Sequence, residues 1–250
     1  MRVISHGLSD VGKKRTLNED SFLADDDIGF FIVADGVGGH AKGEIASALA
    51  VEEAYGFAAR GRPTINAFLK EPTEDNLFAV KRLMESAIQS ACYMVYGLAE
   101  QDPSRHGMST TISALLIAEG LGMVAQVGDS RVYRLRYGTA QQLTEDHTLI
   151  NYKLKHGLIT PEEAQRAPGK NVITRAVGHR DYVQVDTIEC DVLPRDRFLL
   201  CTDGLHGYLV DDEVSALLTG EIEEVAQRLI DLANGRGGRD NITALLVDVQ

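Results

Sequence analysis

The stretch that decides the fold is FFIVADGVGGH, which runs from Phe30 to His40. It begins with four bulky apolar residues, two of them β-branched, and this pattern predicts a strand buried on both faces. The strand leads into Asp35 and a glycine-rich turn, and residues 41–60 then show the apolar spacing of a helix. A carboxylate at a strand end offers hard oxygen ligands, while glycines let the backbone approach a ligand closely. The stretch therefore predicts a site for phosphate or a metal ion.

Residues 36–41 also match the dinucleotide-binding fingerprint G-x-G-x-x-A, which places a pyrophosphate at the start of a helix. That fold needs a second parallel strand soon after the helix, whereas the next strand pattern begins only at about Ser109. Asp35 also precedes the glycines, where it would repel a pyrophosphate unless a cation intervened. A nucleotide site is therefore the weaker hypothesis, and a tight turn with an incidental aspartate is a further alternative.

The composition is typical of one acidic globular domain. The 250 residues are 44% hydrophobic, which is enough for one sizeable core, so residues 1–250 are expected to form a single domain. The formal charge of −12 argues against nucleic acid or an anionic membrane as the main partner. The three cysteines show no paired spacing and are interpreted as reduced packing residues. Because no signal peptide or membrane-spanning apolar run is found, the expected location is the cytoplasm.

Helix and strand patterns alternate along the rest of the chain. Residues 74–99 carry apolar side chains at gaps of three and four, which predicts a long helix covering a sheet. Strand patterns are found at residues 109–118, 121–127, 132–136, 198–202 and 242–249. The polar insert at 147–170 is expected to be a small helical subdomain, with Thr160 as the cap of one of its helices and Pro161 at the first position.

Four aspartates lie at the boundary between an apolar strand and a turn, and they are Asp35, Asp129, Asp203 and Asp240. One such aspartate is usually a turn residue, but four at equivalent places, in strands expected to pack side by side, indicate a common site. Carboxylates about 4 Å apart repel by roughly 4 kcal/mol per pair at an effective dielectric near 20, and divalent cations relieve this repulsion. Since the set contains only oxygen ligands, it favours Mg²⁺ or Mn²⁺ over zinc.

Seven motifs occur in one order along the chain. They are Arg15-x-x-Asn18-Glu19-Asp20, Asp35-Gly36-x-Gly38-Gly39-His40, Gly128-Asp129-Ser130-Arg131, Leu143-Thr144-x-Asp146-His147, Asn171-x-Ile173-Thr174-Arg175-Ala176, Thr202-Asp203-Gly204-Leu205 and Asp240-Asn241-Ile242-Thr243. The series closely resembles the metal-dependent serine/threonine protein phosphatases of type 2C, especially the compact bacterial members. The resemblance implies an α+β fold, a four-layer αββα sandwich in which two central antiparallel β-sheets are flanked by helix pairs. It also implies that residues 147–170 form a flap subdomain.

The resemblance implies a set of metal ligands. Asp35 would bridge two metal ions, and the carbonyl oxygen of Gly36 would bind one of them. Asp203 and Asp240 would complete the shell of the first ion. Asp129, together with Asp203, would hold a looser third ion, as in bacterial relatives. The implied cofactors are therefore two core Mn²⁺ or Mg²⁺ ions and a third, more weakly held one.

Other residues are implied to support catalysis around these ions. Arg15 would bind the substrate phosphate, for which its planar guanidinium is suited. Glu19 and Asp20 would act mainly through metal-bound water, and Asn241 would support the site without binding a metal.

The general acid is the point where the sequence departs from the pattern. Many eukaryotic relatives carry a histidine directly after the Asp-Gly pair, whereas Val37 stands there in this chain. The leaving group would then take its proton from metal-bound water or from His40. Alternatively, His40 is a helix-start residue that packs on the turn.

The implied function is hydrolysis of phosphoserine and phosphothreonine in proteins by a water molecule that bridges two metal ions. The expected partners are phosphorylated proteins, the substrates of a cognate serine/threonine kinase, and the expected state is a monomer. The alternative is a catalytically silent regulator that binds phosphoproteins on the same fold. The intact Asp35, Asp203 and Asp240 argue against that alternative. No cysteine lies in a phosphate-cradling loop, so a cysteine-phosphatase mechanism is not supported.

Overall fold

The computed structural model describes residues 1–37, 42–167, 169 and 172–250. Its strands are β1 (Val3–Asp10), β2 (Asp20–Asp25), β3 (Phe30–Val37), β4 (Ser109–Thr110), β5 (Ile112–Ala118), β6 (Leu121–Val127), β7 (Arg131–Arg136), β8 (Thr139–Gln142), β9 (Asp186–Asp191), β10 (Arg197–Cys201) and β11 (Ile242–Val249). Its helices are α1 (Gly43–Arg60), α2 (Arg62–Lys70), α3 (Glu74–Gln101), α4 (Leu149–Lys155), α5 (Pro161–Arg166), α6 (Asp203–His206), α7 (Asp211–Leu217) and α8 (Ile222–Gly235).

The strands form two antiparallel sheets. One has the order β1-β11-β10-β7-β8. The other has the order β2-β3-β5-β6-β9, with β4 paired to β3. Because β3 and β6 both pair antiparallel with β5, these two strands run in the same direction and end at the same end of the sandwich.

Alternation of apolar side chains along the central strands produces the layers. In β3, Phe30 and Ile32 belong to the core beneath α1 and α3, while Phe31 and Val33 belong to the core between the two sheets. In β11 of the other sheet, Leu246 packs with the core beneath α8, whereas its neighbours Leu245 and Val247 face the sheet that contains β3. Three cores therefore separate four layers, which confirms the αββα sandwich.

The insert between β8 and β9 contains the two short helices α4 and α5. Thr160 caps α5 and Pro161 occupies its first turn, as expected, and Thr160 also forms a capping box with Glu163. The insert returns to the core through a β-bridge between Thr148 and Ile173. Its assignment as a flap, and the division of the chain into domains, stay predictions; Pro168, Lys170 and Asn171 lie outside the described residues.

The structure differs from the expected elements at several places. The strand expected at 109–118 is interrupted at Thr111, which separates β4 from β5. The sequence did not reveal α2, which begins at Arg62 shortly after the end of α1 and has proline in its first turn. Strand β9 has no marked apolar pattern because it lies at the sheet edge with partly exposed side chains, so its sequence did not reveal it.

Candidate active site

The four recurrent aspartates meet in one cleft at the end of the sandwich. Asp35 follows the five buried residues that begin β3, Asp129 follows β6, Asp203 begins α6 shortly after β10, and Asp240 precedes β11. The prediction that these strands pack side by side is wrong in part: β10 and β11 are neighbours, but β3 and β6 belong to the other sheet and are separated by β5. The aspartates meet because two facing sheets end at the same place.

The cleft has a volume of about 230 Å³. It is lined by Arg15, Glu19, Asp35, Gly36, Val37, Thr111, Asp129, Ile173, Asp203 and Asp240. A second, larger cavity of about 690 Å³ lies under the insert and shares Asp129 and Asp203 with the first. These two aspartates therefore lie where the cleft meets the insert.

Close backbone packing explains the glycines that follow two of the aspartates. The Gly36 N–H donates to the Glu19 carbonyl oxygen at 3.1 Å, and a Cβ at position 36 would clash with backbone atoms of Glu19 and Gly43. A Cβ at Gly204 would likewise clash with the Asn241 carbonyl. Glycine at these positions lets the turn after β3 and the start of α6 pack tightly around the cleft.

The carboxylates in the cleft raise one another's pKa values. Burial raises the pKa of Asp35 well above its ordinary value, and repulsion from Asp20 and Asp203 raises it further. Burial, followed by repulsion from Asp240, raises the pKa of Asp203. Burial and the charge of Asp203 raise the pKa of Asp129 to about 7. The site therefore holds more negative charge than its own residues stabilise.

Asp20 has one carboxylate oxygen satisfied and one orphaned. Its Oδ2 accepts hydrogen bonds from the hydroxyls of Thr202, at 2.8 Å, and Thr243, at 2.7 Å. Its Oδ1 is buried without a hydrogen-bond partner, and burial is the main cause that raises its pKa to about 7. A buried acceptor without a partner is costly, so this oxygen favours a proton, a water molecule or a cation beside it.

Asn241 holds the loop that carries Arg15 and Glu19. Its Oδ1 accepts the Glu19 N–H at 2.8 Å, and its Nδ2 donates to the carbonyl oxygens of Val11 and Leu17 at 3.0 and 2.9 Å. The amide therefore joins three backbone groups of one loop to the start of β11. This is the supporting place that the sequence predicted for Asn241, although its effect on catalysis stays a prediction.

Arg15 is the cation of the cleft that the sequence predicted. Its Nη2 donates to Asp240 Oδ2 at 2.8 Å, and its Nη1 lies 3.7 Å from Glu19 Oε2. The side chain is 42% exposed, so the guanidinium lies at the mouth of the cleft and is accessible to a ligand. It offsets part of the acidic charge and leaves further N–H donors free to bind an anion.

Several supporting residues were not found from the sequence. The Thr111 hydroxyl accepts the Asp35 N–H at 3.0 Å, and the Thr110 hydroxyl donates to the Asp35 carbonyl at 2.8 Å. Together with Thr202 and Thr243, they form the polar backing of the cleft. Thr202 and Thr243 stand within quoted motifs, but only the three-dimensional structure shows which carboxylate they bind.

Val37 is not a general acid. Val37 lines the cleft and carries no proton to donate. His40 lies outside the described residues, so its part in catalysis stays a prediction.

The oxygen-rich cleft fits the divalent cations that the resemblance implies. Asp35 and Asp203 line the same cleft, and the charge of Asp203 helps to raise the pKa of Asp35, a repulsion that a shared proton or cation would relieve. Within the described ranges, no three His, Cys, Asp or Glu side chains surround one point in a ready-made metal cage. The fit therefore depends on the shared cleft, the raised pKa values and the orphaned Asp20 oxygen, all of which favour a hard cation.

Comparison with known proteins defines the class. The sequence pattern of the protein phosphatase 2C family matches residues 12–246. The chain is 36% identical to serine/threonine phosphatase stp of Listeria welshimeri over 245 residues. This alignment covers 96% of this chain and 93% of that protein. The chain therefore belongs to the protein phosphatase 2C family.

Solved structures agree with this assignment. The crystal structure of the Mycobacterium tuberculosis serine/threonine phosphatase PstP/Ppp superposes with a TM-score of 0.85 at 33% identity and covers 100% of both chains. A crystal structure of the PstP catalytic domain in complex with two manganese ions gives a TM-score of 0.83 at 33% identity, over 99% of this chain and 98% of that one. The fold and the family expected from the sequence are both confirmed.

The raised pKa of Asp129 predicts a pH dependence for the stability of the metal-free protein. A carboxyl group with a folded pKa of about 7 and an ordinary value of 3.8 binds more protons in the folded state between those pH values. Its contribution to the unfolding free energy is therefore full below about pH 4 and is lost as the pH rises through 7. In chelator, wild type should lose stability relative to Asp129→Asn over this range, as measured by denaturant unfolding at constant ionic strength.

The exposed Asp75→Asn provides the matched control. The difference in unfolding free energy between wild type and this variant should not change between pH 4 and 7. If the difference between wild type and Asp129→Asn does not change between pH 4 and 7, the Asp129 carboxyl is not destabilised in the folded protein.

Proposed function

We propose that this chain is a serine/threonine protein phosphatase that depends on Mn²⁺ or Mg²⁺. The observation that carries the proposal is the convergence of Asp35, Asp129, Asp203 and Asp240 in one cleft, with Arg15 at its mouth. Membership of the protein phosphatase 2C family and the two manganese ions in the PstP catalytic domain support it.

The metal ligands in this proposal are all oxygen atoms of the cleft. Asp35, the Gly36 carbonyl, Asp203 and Asp240 would hold the two core ions, and Asp129 with Asp203 would hold a third. When bound, such ions supply Lewis-acid activation of water and neutralise charge on a phosphoryl group. Carboxylates that repel one another without cations provide the driving force for binding them.

Arg15 would bind the phosphate group of the substrate. Its guanidinium is exposed beside Asp240, and a planar fork of N–H donors matches two phosphate oxygens. Asn241 would keep this arginine near the metals, because it fixes the backbone of the loop at Glu19 and Leu17. Binding and orientation of the phosphate would thus come from the loop before β2.

The environment of Cys201, which lies two positions before Asp203 in the sequence, disfavours a cysteine nucleophile. Cys201 is fully buried one residue before Thr202, and burial raises the pKa of its thiol to about 12. The thiolate is the nucleophilic form, so a thiol with this pKa does not attack phosphorus at neutral pH. The chemistry is therefore assigned to the acidic cleft.

The substrates would be phosphorylated proteins, made by a cognate serine/threonine kinase. The net charge of −12 gives no support for a nucleic acid partner. Among the described residues, no helix combines the length and the apolar character needed to cross a bilayer. The monomeric state and the cytoplasmic location stay predictions.

Metal removal tests the proposal. Chelated protein should not hydrolyse a phosphoserine peptide or an aryl phosphate, and Mn²⁺ or Mg²⁺ should restore hydrolysis of both. Asp35→Asn should lose more activity than the roughly 10- to 100-fold that removal of a group outside a metal shell costs. The exposed Asp75→Asn is the matched control and should behave like wild type. Full activity after thorough chelation would overturn the metal dependence, while binding of phosphopeptide without turnover would favour the silent regulator.

The role of Arg15 predicts a separation of KM from kcat. Arg15→Ala should raise KM for a phosphopeptide roughly 10- to 100-fold, because a hydrogen bond to a charged group contributes about 1.5–3 kcal/mol. The KM of Arg15→Lys should lie between those of wild type and Arg15→Ala, since lysine keeps the charge but loses the planar fork of N–H donors. Steady-state kinetics at saturating Mn²⁺ measures both parameters. An unchanged KM combined with weaker Mn²⁺ binding would instead make Arg15 a structural partner of Asp240.

A further inference from the structure

The backbone of Gly128 and Asp129 is held from two sides by buried histidines. The backbone N–H of His147 donates to the Gly128 carbonyl oxygen at 3.0 Å, and the ring Nδ1 of His147 accepts the backbone N–H of Gly128 at 3.1 Å. On the other side, Nε2 of His206 lies 2.9 Å from the Asp129 carbonyl oxygen. We call His147 and His206 the histidine clamp.

The ring nitrogens of the clamp have defined roles. A carbonyl oxygen only accepts, so Nε2 of His206 carries the proton that it donates to Asp129. Nδ1 of His147 accepts, so its proton lies on Nε2, which is 3.0 Å from Asp186 Oδ2. Arg175 donates to the other oxygen of Asp186 at 2.6 Å and keeps that carboxylate in place. Burial lowers the pKa of both histidines, to about 3 for His206, which keeps both rings neutral.

Gln126 also supports the turn that the clamp holds, because its Nε2 donates to the carbonyl oxygens of Gly128 and Ser130, each at 3.1 Å. Gly128 has φ +104°, a conformation that favours glycine, and a Cβ there would collide with Thr111. Among the described residues, no side chain donates a hydrogen bond to the Asp129 carboxylate itself. The direction of that carboxylate therefore depends on how its own backbone is held.

Each histidine connects Asp129 to a different part of the site. His206 lies on α6, three residues after Asp203, so its hydrogen bond joins the backbones that carry the two aspartates. His147 lies at the base of the insert, where its carbonyl accepts the Thr174 N–H at 2.8 Å. Asp129 and Asp203 both line the cleft and the cavity under the insert. The clamp therefore holds the backbone of a residue that lies where those two spaces join.

We propose that His147 and His206 are positioning residues that hold the Asp129 backbone so that its carboxylate stays beside that of Asp203. The inference rests on the proposed function, in which these two aspartates hold a divalent cation. Neither histidine needs to touch the substrate or a metal ion. Their effect would pass through the peptide groups on either side of the Asp129 Cα.

Amide side chains allow a crossed test of this proposal. The amide of asparagine lies near the place of a histidine Nδ1, while that of glutamine lies near the place of Nε2. His147→Asn therefore keeps an acceptor for the Gly128 N–H, and His147→Gln loses it. At the other site the order is reversed, because His206→Gln keeps a donor to the Asp129 carbonyl and His206→Asn loses it.

The four variants should fall into two groups, according to whether the new side chain keeps the hydrogen bond to the backbone of Gly128 or Asp129. Calorimetric titration of the chelated proteins with Mn²⁺ should show the weakest site lost or weakened in His147→Gln and His206→Asn. These two should also lose roughly 10- to 100-fold in kcat with KM nearly unchanged, as expected when a group that orients a ligand is removed. His147→Asn and His206→Gln should stay close to wild type in both measurements. Thermal unfolding in chelator identifies the folded variants that are compared.

The outcomes distinguish the clamp from general damage and from failure of the proposed function. If both variants at a position lose activity equally, that histidine acts through packing and the proposal is wrong there. If all four bind Mn²⁺ and turn over like wild type, the clamp has no part in the site. If wild type itself binds no Mn²⁺, the proposed function fails, and the clamp fails with it.

Discussion

Repulsion among buried carboxylates is the constraint on which the rest of this structure depends. Asp20, Asp35, Asp129 and Asp203 share one end of the sandwich, and all four have raised pKa values with burial as the first cause. Each pair about 4 Å apart costs roughly 4 kcal/mol at an effective dielectric near 20. A domain whose total stability is about 5–15 kcal/mol does not tolerate several such pairs without compensation. The cleft is therefore a place that a divalent cation stabilises.

The fold holds these charges in place through neutral groups and backbone contacts. Threonine hydroxyls satisfy one oxygen of Asp20, and the threonines at 110 and 111 hold both backbone groups of Asp35. Asn241 fixes the loop of Arg15, and the histidine clamp fixes the turn of Asp129. Arg15 is the cation that lines the cleft itself, so most of the negative charge is left for metal ions to neutralise.

Whether a feature of the fold or the site could be predicted depends on how far apart in the sequence the interacting residues are. The strand-to-turn aspartates and the capped helix at Thr160 follow from local patterns, and the motif order gave the family. The partners of Asp20 are 182 and 223 residues away in the chain, and no local pattern reports such a contact. Likewise, the side-by-side packing expected for the four strands was wrong in part, because β10 and β11 are neighbours but β3 and β6 belong to the other sheet. The roles of the site residues, and that of His40, stay predictions.

The most direct test of the account is the thermal unfolding of the chelated protein as Mn²⁺ is added. If cations relieve the repulsion, Mn²⁺ at about 100 times its Kd adds roughly 2.7 kcal/mol and raises Tm by roughly 5–10 °C for a domain of this size. Asp35→Asn in chelator should be at least as stable as wild type, because one repelling charge is gone, and it should gain less from Mn²⁺. A Tm that Mn²⁺ leaves unchanged, or an equal gain in both proteins, would contradict the account.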